Sequence, residues 1–316
     1  MLRKTKFNNL DYVLDIGGND GTFLKNFVNK RIKSLNVDSG VKQFKESKKN
    51  GVSCINDFFN YQLAKKIYKK YGSSRVIHGS GIFFHLEELN SVFKGIKFLL
   101  DENGILVAEF IYLPNMIKKN AFDQIYHEHL LYYSINTFQK LLKRHNLEIF
   151  DAKIYEIHGG SCVAFISHKE KFKKSPFLKK IINKEIKEGI NKITTYKTFK
   201  KNIINLKIKL NKLPLDLKKG NKKVYALGAP VKGSTLINFL DLNEDLIECA
   251  TEINQNKFNT YYPGTKIPVL NQAKVKHPDY YLLLSWNFKD EIIKKMKDFR
   301  KSGGKFIIPI PNVRVL

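Results

Sequence analysis

The chain has 316 residues, 43% of them hydrophobic, and a formal charge of +27. This length predicts two domains, each with a core of its own. No apolar run approaches the roughly 20 residues of a membrane helix, and the start, MLRKTKFNNLDYVL, lacks the apolar stretch of a signal peptide. We therefore expect a cytoplasmic protein that does not bind membranes. Cys54, Cys162 and Cys249 lie far apart, which argues against a disulfide framework and against a cysteine zinc site.

The positive charge comes almost entirely from lysine, with 50 lysines and six arginines. Direct readout of bases favours arginine. We therefore predict no specific nucleic-acid binding. The positive field should still attract anionic ligands.

The first part of the chain alternates strand and helix patterns. YVLDIGGNDGTFLKNF predicts a strand, a glycine turn and a helix, and LEIFDAKIYEIHGGSCVAFISH predicts a hairpin at Gly159-Gly160. Further strands are expected in KSLNVD, near 52–55, and in SRVIHGSGIFF and GILVAEFIYL, with helices at 42–49, 60–71 and 86–100. The pattern predicts a doubly wound α/β sheet with an antiparallel end, in a domain spanning residues 1–172.

The second part begins with apolar residues recurring at steps of three and four between 175 and 213. They predict a linking element over 173–213, either one long amphipathic helix or two in line, ended by Pro214. KKVYALGAPVKGSTLINFL then starts a second strand–turn–helix unit. Later strands are expected in DLIECATEI, DYYLLLS and KFIIPI, and helices over 287–301 and before DYYLLLS. Residues 214–316 should form a smaller α/β domain with a parallel sheet.

The turn LDIGGNDG follows a strand and opens a helix, which is the context of a nucleotide-binding turn. Gly17, Gly18 and Gly21 permit a close backbone approach. The spacing differs from the dinucleotide pattern G-x-G-x-x-G. Asp15, just before the turn, favours S-adenosylmethionine over NAD, because a methionine ammonium attracts carboxylates whereas a pyrophosphate requires bare amides. A tight turn without a ligand remains the alternative.

Acidic residues follow the next two strands. Asp38, 17 residues after Gly21, can accept hydrogen bonds from both ribose hydroxyls. Asp57 and Phe58 could meet an adenine, the carboxylate at its amino group and the ring against its face.

The second turn, GAPVKGST, has Gly228 and Gly233 at P-loop spacing, but Ser234 occupies the place of the required lysine. ATP hydrolysis is therefore not expected. A helix starting at Ser234, with Lys232 nearby, could hold a phosphate, or the turn could be purely structural.

The stretch FDQIYHEHLLYYS places His127 and His129 on either side of Glu128. On a helix the two histidines would point about 200° apart and could not share a metal, whereas on a strand they could. No third ligand is evident, so no metal is predicted. A satisfied polar cluster and acid/base chemistry both remain open. His85 and Glu109 are expected near strand ends at the ligand-binding edge of the sheet.

These motifs together resemble the sugar C-methyltransferases of deoxysugar biosynthesis, which methylate a carbon of a nucleotide-linked keto sugar. The resemblance is carried by DIGGNDGTFL, FDQIYHEHLLYYS, HGGS, GAPVKGSTLINF, YYPGTKIPV and LLLSWNFKDEI. It implies a class I methyltransferase domain, which binds S-adenosylmethionine, followed by a Rossmann-like domain that helps to hold the nucleotide-linked sugar.

The resemblance also implies roles for matching residues. His129 would be the base that removes the proton next to the ketone, supported by Glu128, His85 and Tyr126. The cofactor-binding residues would be Asp15, Gly17, Gly18, Asn19, Gly21, Asp38, Asp57 and Phe58. The substrate-binding residues would be His158, Ser161, Lys232, Lys257 and Tyr262.

Two departures from the family pattern affect these expectations. Gly81 stands where the family usually has an asparagine. The family's N-terminal cysteine-rich zinc domain has no counterpart in this sequence, so a truncated relative, a fragment, or one half of a two-chain enzyme is expected. The alternatives are a catalytically impaired S-adenosylmethionine-binding or assembly protein, and a methyltransferase for another small molecule.

Overall fold

The computed structural model describes residues 7–8 and 11–316, apart from the side chain of His158. The chain divides into two compact units. The first extends to Leu113 and resumes over Leu130–Ile190, and the second comprises Pro114–His129 and Asn191–Leu316. The expected boundaries were 172 and 213. The segment Pro114–His129 thus clusters with the C-terminal residues, although in sequence it interrupts the first unit.

The first unit contains a seven-stranded sheet in the order β3-β2-β1-β4-β5-β7-β6. Its strands are β1 (Tyr12–Ile16), β2 (Lys33–Val37), β3 (Ser53–Ile55), β4 (Ser74–Ser80), β5 (Leu100–Ile111), β6 (Leu147–Tyr155) and β7 (Ser161–His168). Strands β1 to β5 pair in parallel, and β7 runs antiparallel to both β5 and β6. This order confirms the predicted doubly wound sheet with an antiparallel end, including the hairpin of β6 and β7.

Helices cover both faces of this sheet. They are α1 (Thr22–Val28), α2 (Val41–Lys49), α3 (Tyr61–Tyr71), α4 (Leu89–Leu99), α6 (Ile135–Lys143) and α7 (Pro176–Lys187). The helix α5 (Leu113–Lys118) begins with the last residue of the first segment of this unit, and its other residues belong to the second unit. Successive residues of a strand pack into two different hydrophobic cores. Leu14 and Ile77 belong to one buried cluster, and Val13 and Val76 belong to the other. Strands buried on both faces explain the nearly continuous apolar runs in the sequence.

The second unit contains a seven-stranded sheet in the order β10-β11-β9-β8-β12-β13-β14. Its elements are α8 (Ile193–Lys219), β8 (Val224–Leu227), α9 (Val231–Phe239), β9 (Ala250–Glu252), β10 (Thr260–Tyr261), β11 (Pro268–Asn271), β12 (Tyr280–Leu283), α10 (Lys289–Lys295), α11 (Lys297–Lys301), β13 (Lys305–Ile308) and β14 (Arg314–Val315). The centre is parallel, as expected, and β10 and β14 are antiparallel edges. The prediction of a helix before DYYLLLS was wrong, because that segment forms β11 and a 3₁₀ turn, Gln272–Lys274.

The two sheets share one topological feature. In each sheet, two further parallel strands follow one another away from the first strand, and the next strand then pairs with the opposite edge of that first strand. The resulting orders are β3-β2-β1-β4-β5 and β11-β9-β8-β12-β13. The order reverses between β1 and β4, and between β8 and β12. Ligands of open α/β sheets bind at such switch points, beyond the carboxyl ends of the strands. Both glycine turns start there, because one follows β1 and the other follows β8.

The linking element consists of two helices, α7 and α8, separated by residues 188–192. The prediction that Pro214 ends the helix was wrong, since α8 continues to Lys219 with Pro214 inside it. A proline within a helix removes a hydrogen bond and crowds the preceding turn. Here the ring lies on the buried face with Phe199, Ile203, Leu206 and Leu210, so burial of its apolar surface offsets that cost. Within residues 7–8 and 11–316, helices long and apolar enough to span a membrane are absent.

Candidate active site

The first glycine turn has a shape that depends on glycine at three positions. Gly17 and Gly21 adopt φ angles of 68° and 77°, in the left-handed region that side chains disfavour. A Cβ atom on Gly18 would lie 2.5 Å from Oδ1 of Asn36 and 2.7 Å from Oδ2 of Asp15. The backbone of Gly18 instead approaches these groups, and its N–H donates to Oδ1 of Asn36 at 3.1 Å.

Asp15 lies next to this turn with its carboxylate buried. Its Oδ1 is 2.7 Å from Nδ1 of His78, whose ring stacks on Phe23 at a centroid distance of 4.0 Å. Burial raises the pKa of Asp15, and the hydrogen bond from His78 partly opposes that rise. His78 was missed by the sequence analysis. It lies on β4, which pairs with β1, and the motif SRVIHGSG carried the only signal.

Asp38 follows β2 and lies over the same turn. Its Oδ2 accepts the N–H of Asn19 at 2.9 Å, and its Oδ1 accepts the N–H of Gly40 at 2.9 Å. A carboxylate offers about four acceptor positions, so Asp38 retains capacity for ribose hydroxyls. Asp57 is exposed, and the ring of Phe58 is 70% exposed, which suits stacking against a base. The structure thus leaves acceptors and an open aromatic ring exposed beside the turn, which are the features expected from the sequence at this place.

The second glycine turn, between β8 and α9, accepts hydrogen bonds from two residues predicted to bind substrate. Lys257 Nζ donates to the carbonyl of Ala229 at 2.7 Å, and the Tyr262 hydroxyl donates to the carbonyl of Gly228 at 3.3 Å. Both residues line a cavity of about 260 Å³ that also includes Ser234. Lys257 and Tyr262 therefore lie together beside the turn, and their polar ends donate hydrogen bonds to its backbone.

Glu252, at the end of β9, fixes the other side of this turn. Its carboxylate accepts the N–H groups of Ala229, Ile253 and Asn254 at 2.8–3.0 Å. Burial alone would raise the pKa of Glu252, but these amides and Lys257 outweigh it and lower the pKa below its ordinary value. The sequence analysis did not identify Glu252.

Lys232 has different surroundings from those expected of a phosphate ligand. Its side chain is 14% exposed, its Nζ donates to Oδ1 of Asn287 and lies 3.9 Å from Oδ2 of Asp123, and it sits 5.0 Å from the centre of the Trp286 ring. Burial lowers the pKa of Lys232, and the charge of Asp123 opposes that shift. Asp123 and Trp286 were not identified from the sequence.

The histidine stretch forms a turn rather than a helix or a strand, with the N–H of His129 bonded to the carbonyl of Tyr126 at 2.9 Å. The structure is therefore neither of the two conformations, helix or strand, for which the sequence analysis considered the spacing of the histidines. His127 is 86% exposed and lies 3.9 Å from Glu128, whereas His129 is buried. Among the described residues, no three His, Cys, Asp or Glu side chains group as metal ligands.

The Nδ1 atom of His129 has one defined hydrogen-bond role. Its Nδ1 lies 2.8 Å from the carbonyl oxygen of Gln124. A carbonyl only accepts hydrogen bonds, so Nδ1 carries a proton, and whenever the ring is neutral its lone pair is on Nε2. The Tyr126 ring packs against the imidazole at a centroid distance of 4.0 Å. A buried imidazole with a fixed tautomer is suited to proton transfer.

The remaining predicted residues belong to the first unit. His85 is half-buried just after β4, with its ring 4.5 Å from that of Phe84. Ser161 opens β7, is buried, and donates its hydroxyl to the carbonyl of Ile157 at 3.3 Å. The side chain of His158 lies outside the described residues. Tyr126, Glu128 and His129 all belong to the second unit.

Comparison with known families assigns each part of the chain. Residues 2–152 match the family model for a methyltransferase domain, and residues 156–311 match that for a C-methyltransferase C-terminal domain. The chain is therefore a methyltransferase, and its cofactor is S-adenosylmethionine. It is 31% identical over 313 residues to the C-methyltransferase NovU of Streptomyces niveus, covering 97% of this chain and 74% of NovU. The chain belongs to this C-methyltransferase family, which confirms the resemblance noted from its motifs.

Solved structures show more distant similarity. A S-adenosylmethionine-dependent methyltransferase from Anabaena variabilis is 16% identical, with a TM-score of 0.43, covering 53% of this chain and 82% of its own. The magnesium protoporphyrin IX methyltransferase of Synechocystis, with bound S-adenosylhomocysteine, is 14% identical, with a TM-score of 0.40, covering 51% and 76%. The family assignment rests on the domain matches and on NovU.

Proposed function

We propose that the chain methylates a carbon next to the ketone of a nucleotide-linked keto-deoxysugar, with His129 as the base. A C–H carbon has no lone pair with which to attack a methyl group. A neighbouring ketone makes its proton acidic, and the removal of that proton creates the nucleophile. A carbon-methylating enzyme thus needs a base and support for an enolate, in addition to a positioned methyl donor.

The observation that carries the proposal is the state of His129. Its Nδ1–H donates to the carbonyl of Gln124 at 2.8 Å, so the neutral ring accepts a proton at Nε2. After proton transfer, the same carbonyl continues to accept from the imidazolium and stabilises its charge. The ring is buried against Tyr126, which limits its rotation. These features supply orientation and tautomer, the two properties that a positioned base requires.

The proposed reaction conserves atoms and charge. His129 takes the proton from the substrate carbon, and the electron pair of the broken C–H bond moves into an enolate. When bound, S-adenosylmethionine would supply a sulfonium-activated methyl group. The enolate carbon would form a new carbon–carbon bond to it as the methyl–sulfur bond breaks, and the sulfur would keep the electron pair of that bond and leave as neutral S-adenosylhomocysteine. The proton remains on Nε2 of His129 until it passes to solvent. In this scheme Tyr126, Glu128 and His85 support the base or the enolate.

The proposal also assigns the two glycine turns. Asp38, Asp57 and Phe58 beside the first turn would hold the adenosine of the cofactor, as their acceptors and open ring favour. The cavity beside the second turn, with Lys257 and Tyr262, would take part of the nucleotide. Its volume of about 260 Å³ is below the range of about 300–1,000 Å³ typical of whole drug-sized ligands, so it suits one portion of the substrate. The charge of +27 favours the approach of a diphosphate.

The direct test is methyl transfer to a defined set of acceptors. The protein is incubated with methyl-labelled S-adenosylmethionine and a panel of nucleotide-linked 4-keto sugars, with the matching 4-hydroxy sugars as controls. We expect label in a keto sugar and none in its 4-hydroxy counterpart, because only the ketone acidifies the adjacent C–H. Binding of S-adenosylmethionine without transfer to any keto sugar would contradict the proposal and favour an impaired enzyme or a different substrate.

A further inference from the structure

The segment that carries His129 also carries a buried acid with long-range partners. Asp123 is 0% exposed, and its Oδ2 accepts the indole N–H of Trp286 at 2.7 Å, across 163 residues of sequence. The same oxygen lies 3.9 Å from Nζ of Lys232, whose side chain is 14% exposed. Trp286 is the single tryptophan of the sequence. All of these residues belong to the second unit.

Stability alone does not explain such a cluster, because the desolvation of buried charges offsets much of their attraction. Burial raises the pKa of Asp123 and lowers the pKa of Lys232, so each ionised group depends on the other. Replacing a buried ion pair by apolar residues of similar size is often neutral or stabilising. In some proteins such a buried pair instead fixes the position of the backbone that carries it.

The backbone at Asp123 is directly connected to the tautomer of His129. Asp123 and Gln124 lie in one 3₁₀ turn, Phe122–Gln124, and the Gln124 carbonyl is the group that accepts the Nδ1–H of His129. The ring of Phe122 packs on Phe239 of α9 at a centroid distance of 4.7 Å, which holds the other end of the turn. Fixing this turn therefore fixes the acceptor that orients the imidazole.

We propose that Asp123, held by Trp286 and Lys232, is a positioning residue that keeps the Gln124 carbonyl in place and so keeps His129 protonated at Nδ1. The inference rests on the proposed role of His129 as the base. It assigns Lys232 as the counter-ion of Asp123, instead of the phosphate ligand suggested by its place in GAPVKGST. A kinetic distinction follows, because a phosphate ligand acts on substrate affinity and a positioning group acts on the rate of proton removal.

Two variants separate positioning from stability. Trp286→Phe keeps an aromatic ring for packing and for contact with Lys232 but removes the N–H donor. The double variant Asp123→Leu, Lys232→Met removes both charges together, which avoids an unpaired buried charge. Asp290→Asn is the matched control, because Asp290 is an exposed acid of the same unit that pairs with neighbouring Lys289. Folding is checked from circular dichroism and the thermal midpoint.

The first readout needs no substrate. Long-range proton–nitrogen correlation spectra of the full chain report the tautomer of each histidine, and the spectrum of His129→Gln identifies the His129 signals. We expect the Nδ1-protonated form in the wild type and in Asp290→Asn, and a mixture of tautomers in Trp286→Phe and in the double variant. A folded Trp286→Phe and a folded double variant that keep the wild-type tautomer would overturn the inference.

The second readout is the exchange of the substrate proton for deuterium. We expect both variants to lower the exchange rate at saturating substrate by about tenfold to a hundredfold, as a misplaced catalytic group does, with KM little changed. A raised KM with a wild-type tautomer would instead identify Lys232 as a substrate ligand and contradict the assignment. Because the tautomer is read without substrate, failure of the proposed methyl transfer would be seen separately from failure of this inference.

Discussion

Nδ1 of His78 lies 2.7 Å from Oδ1 of Asp15, a carboxylate that is 2% exposed at the end of β1. The two residues lie on paired strands, where Asp15 stands opposite His78 in the register of β1 and β4. The first glycine turn packs directly on this carboxylate, so the shape of the turn depends on an acid whose burial is made tolerable by the histidine.

We therefore predict that His78→Leu lowers the free energy of unfolding by about 1.5–3 kcal/mol, the value of a hydrogen bond to a charged group. The measurement is calorimetry or circular dichroism during thermal unfolding. Adding Asp15→Asn should recover part of the loss, because the uncompensated charge is then gone. Equal destabilisation of the single and the double variant would show that lost packing, instead of charge, causes the effect.

Asp38→Ala should weaken the binding of S-adenosylmethionine by about tenfold or more, since hydrogen bonds to a charged group contribute roughly 1.5–3 kcal/mol. Isothermal titration calorimetry with the full chain measures the affinity. Glu46→Ala is the control, because Glu46 is an acid of the same unit that pairs with Lys49 on the exposed side of α2. Unchanged affinity in Asp38→Ala would remove Asp38 from the cofactor site.

Gly18→Ala should disturb the first turn although alanine adds only one carbon. The new Cβ would lie 2.5 Å from Oδ1 of Asn36, closer than such contacts occur, so the turn or its supports must move. We expect cofactor affinity to fall by at least about tenfold, because moving the turn removes the value of one hydrogen bond, about 1.5 kcal/mol, from the bound state. Gly220→Ala, where the nearest atom to the new Cβ is 3.4 Å away, should bind the cofactor normally. Full affinity in Gly18→Ala would contradict the close packing at this turn.

Glu252→Gln should destabilise the protein in a pH-dependent way. The folded-state pKa of Glu252 lies below its ordinary value, so its ionised form stabilises the fold above that ordinary value, and this contribution is lost as pH falls through the folded-state pKa. We expect a deficit of roughly 1–3 kcal/mol at pH 7 relative to the wild type, which shrinks as the pH is lowered through the folded-state pKa. A deficit that stays constant as the pH is lowered across the acid range would exclude the charge of Glu252 as its cause.

Local patterns in the sequence predict the first sheet well, because each strand and each turn is indicated by residues that are close together in the sequence. The strand, glycine turn and helix around Gly17, and the hairpin at Gly159-Gly160, follow from apolar runs and from residues that permit open backbone angles. Pro214 was misread because the local rule omits burial of its ring on α8, which only the tertiary fold provides.

The partners of the functional residues were the part that sequence could not provide. Asp15 and His78 are 63 residues apart, and Asp123 and Trp286 are 163 residues apart. No periodic pattern in the sequence predicts either pair. The first pair arises because β1 and β4 are neighbours in the sheet, and the second arises because the turn that carries Asp123 packs near Trp286 within the second unit. The motif containing His129 was recognisable, whereas its attachment through Asp123 to the second unit required the structure.

The central claim is that His129 removes the proton next to the ketone. Proton removal consumes no methyl group, so the protein should exchange that proton for deuterium in D₂O with S-adenosylhomocysteine in place of the methyl donor. Nuclear magnetic resonance of the keto sugar follows the exchange, corrected for the folded fraction of each variant. We predict that His129→Gln lowers the rate by about 10²–10⁴, as expected for a positioned base, and that His127→Gln, which changes an exposed neighbour, leaves the rate unchanged. Wild-type exchange per folded molecule in His129→Gln would contradict the account.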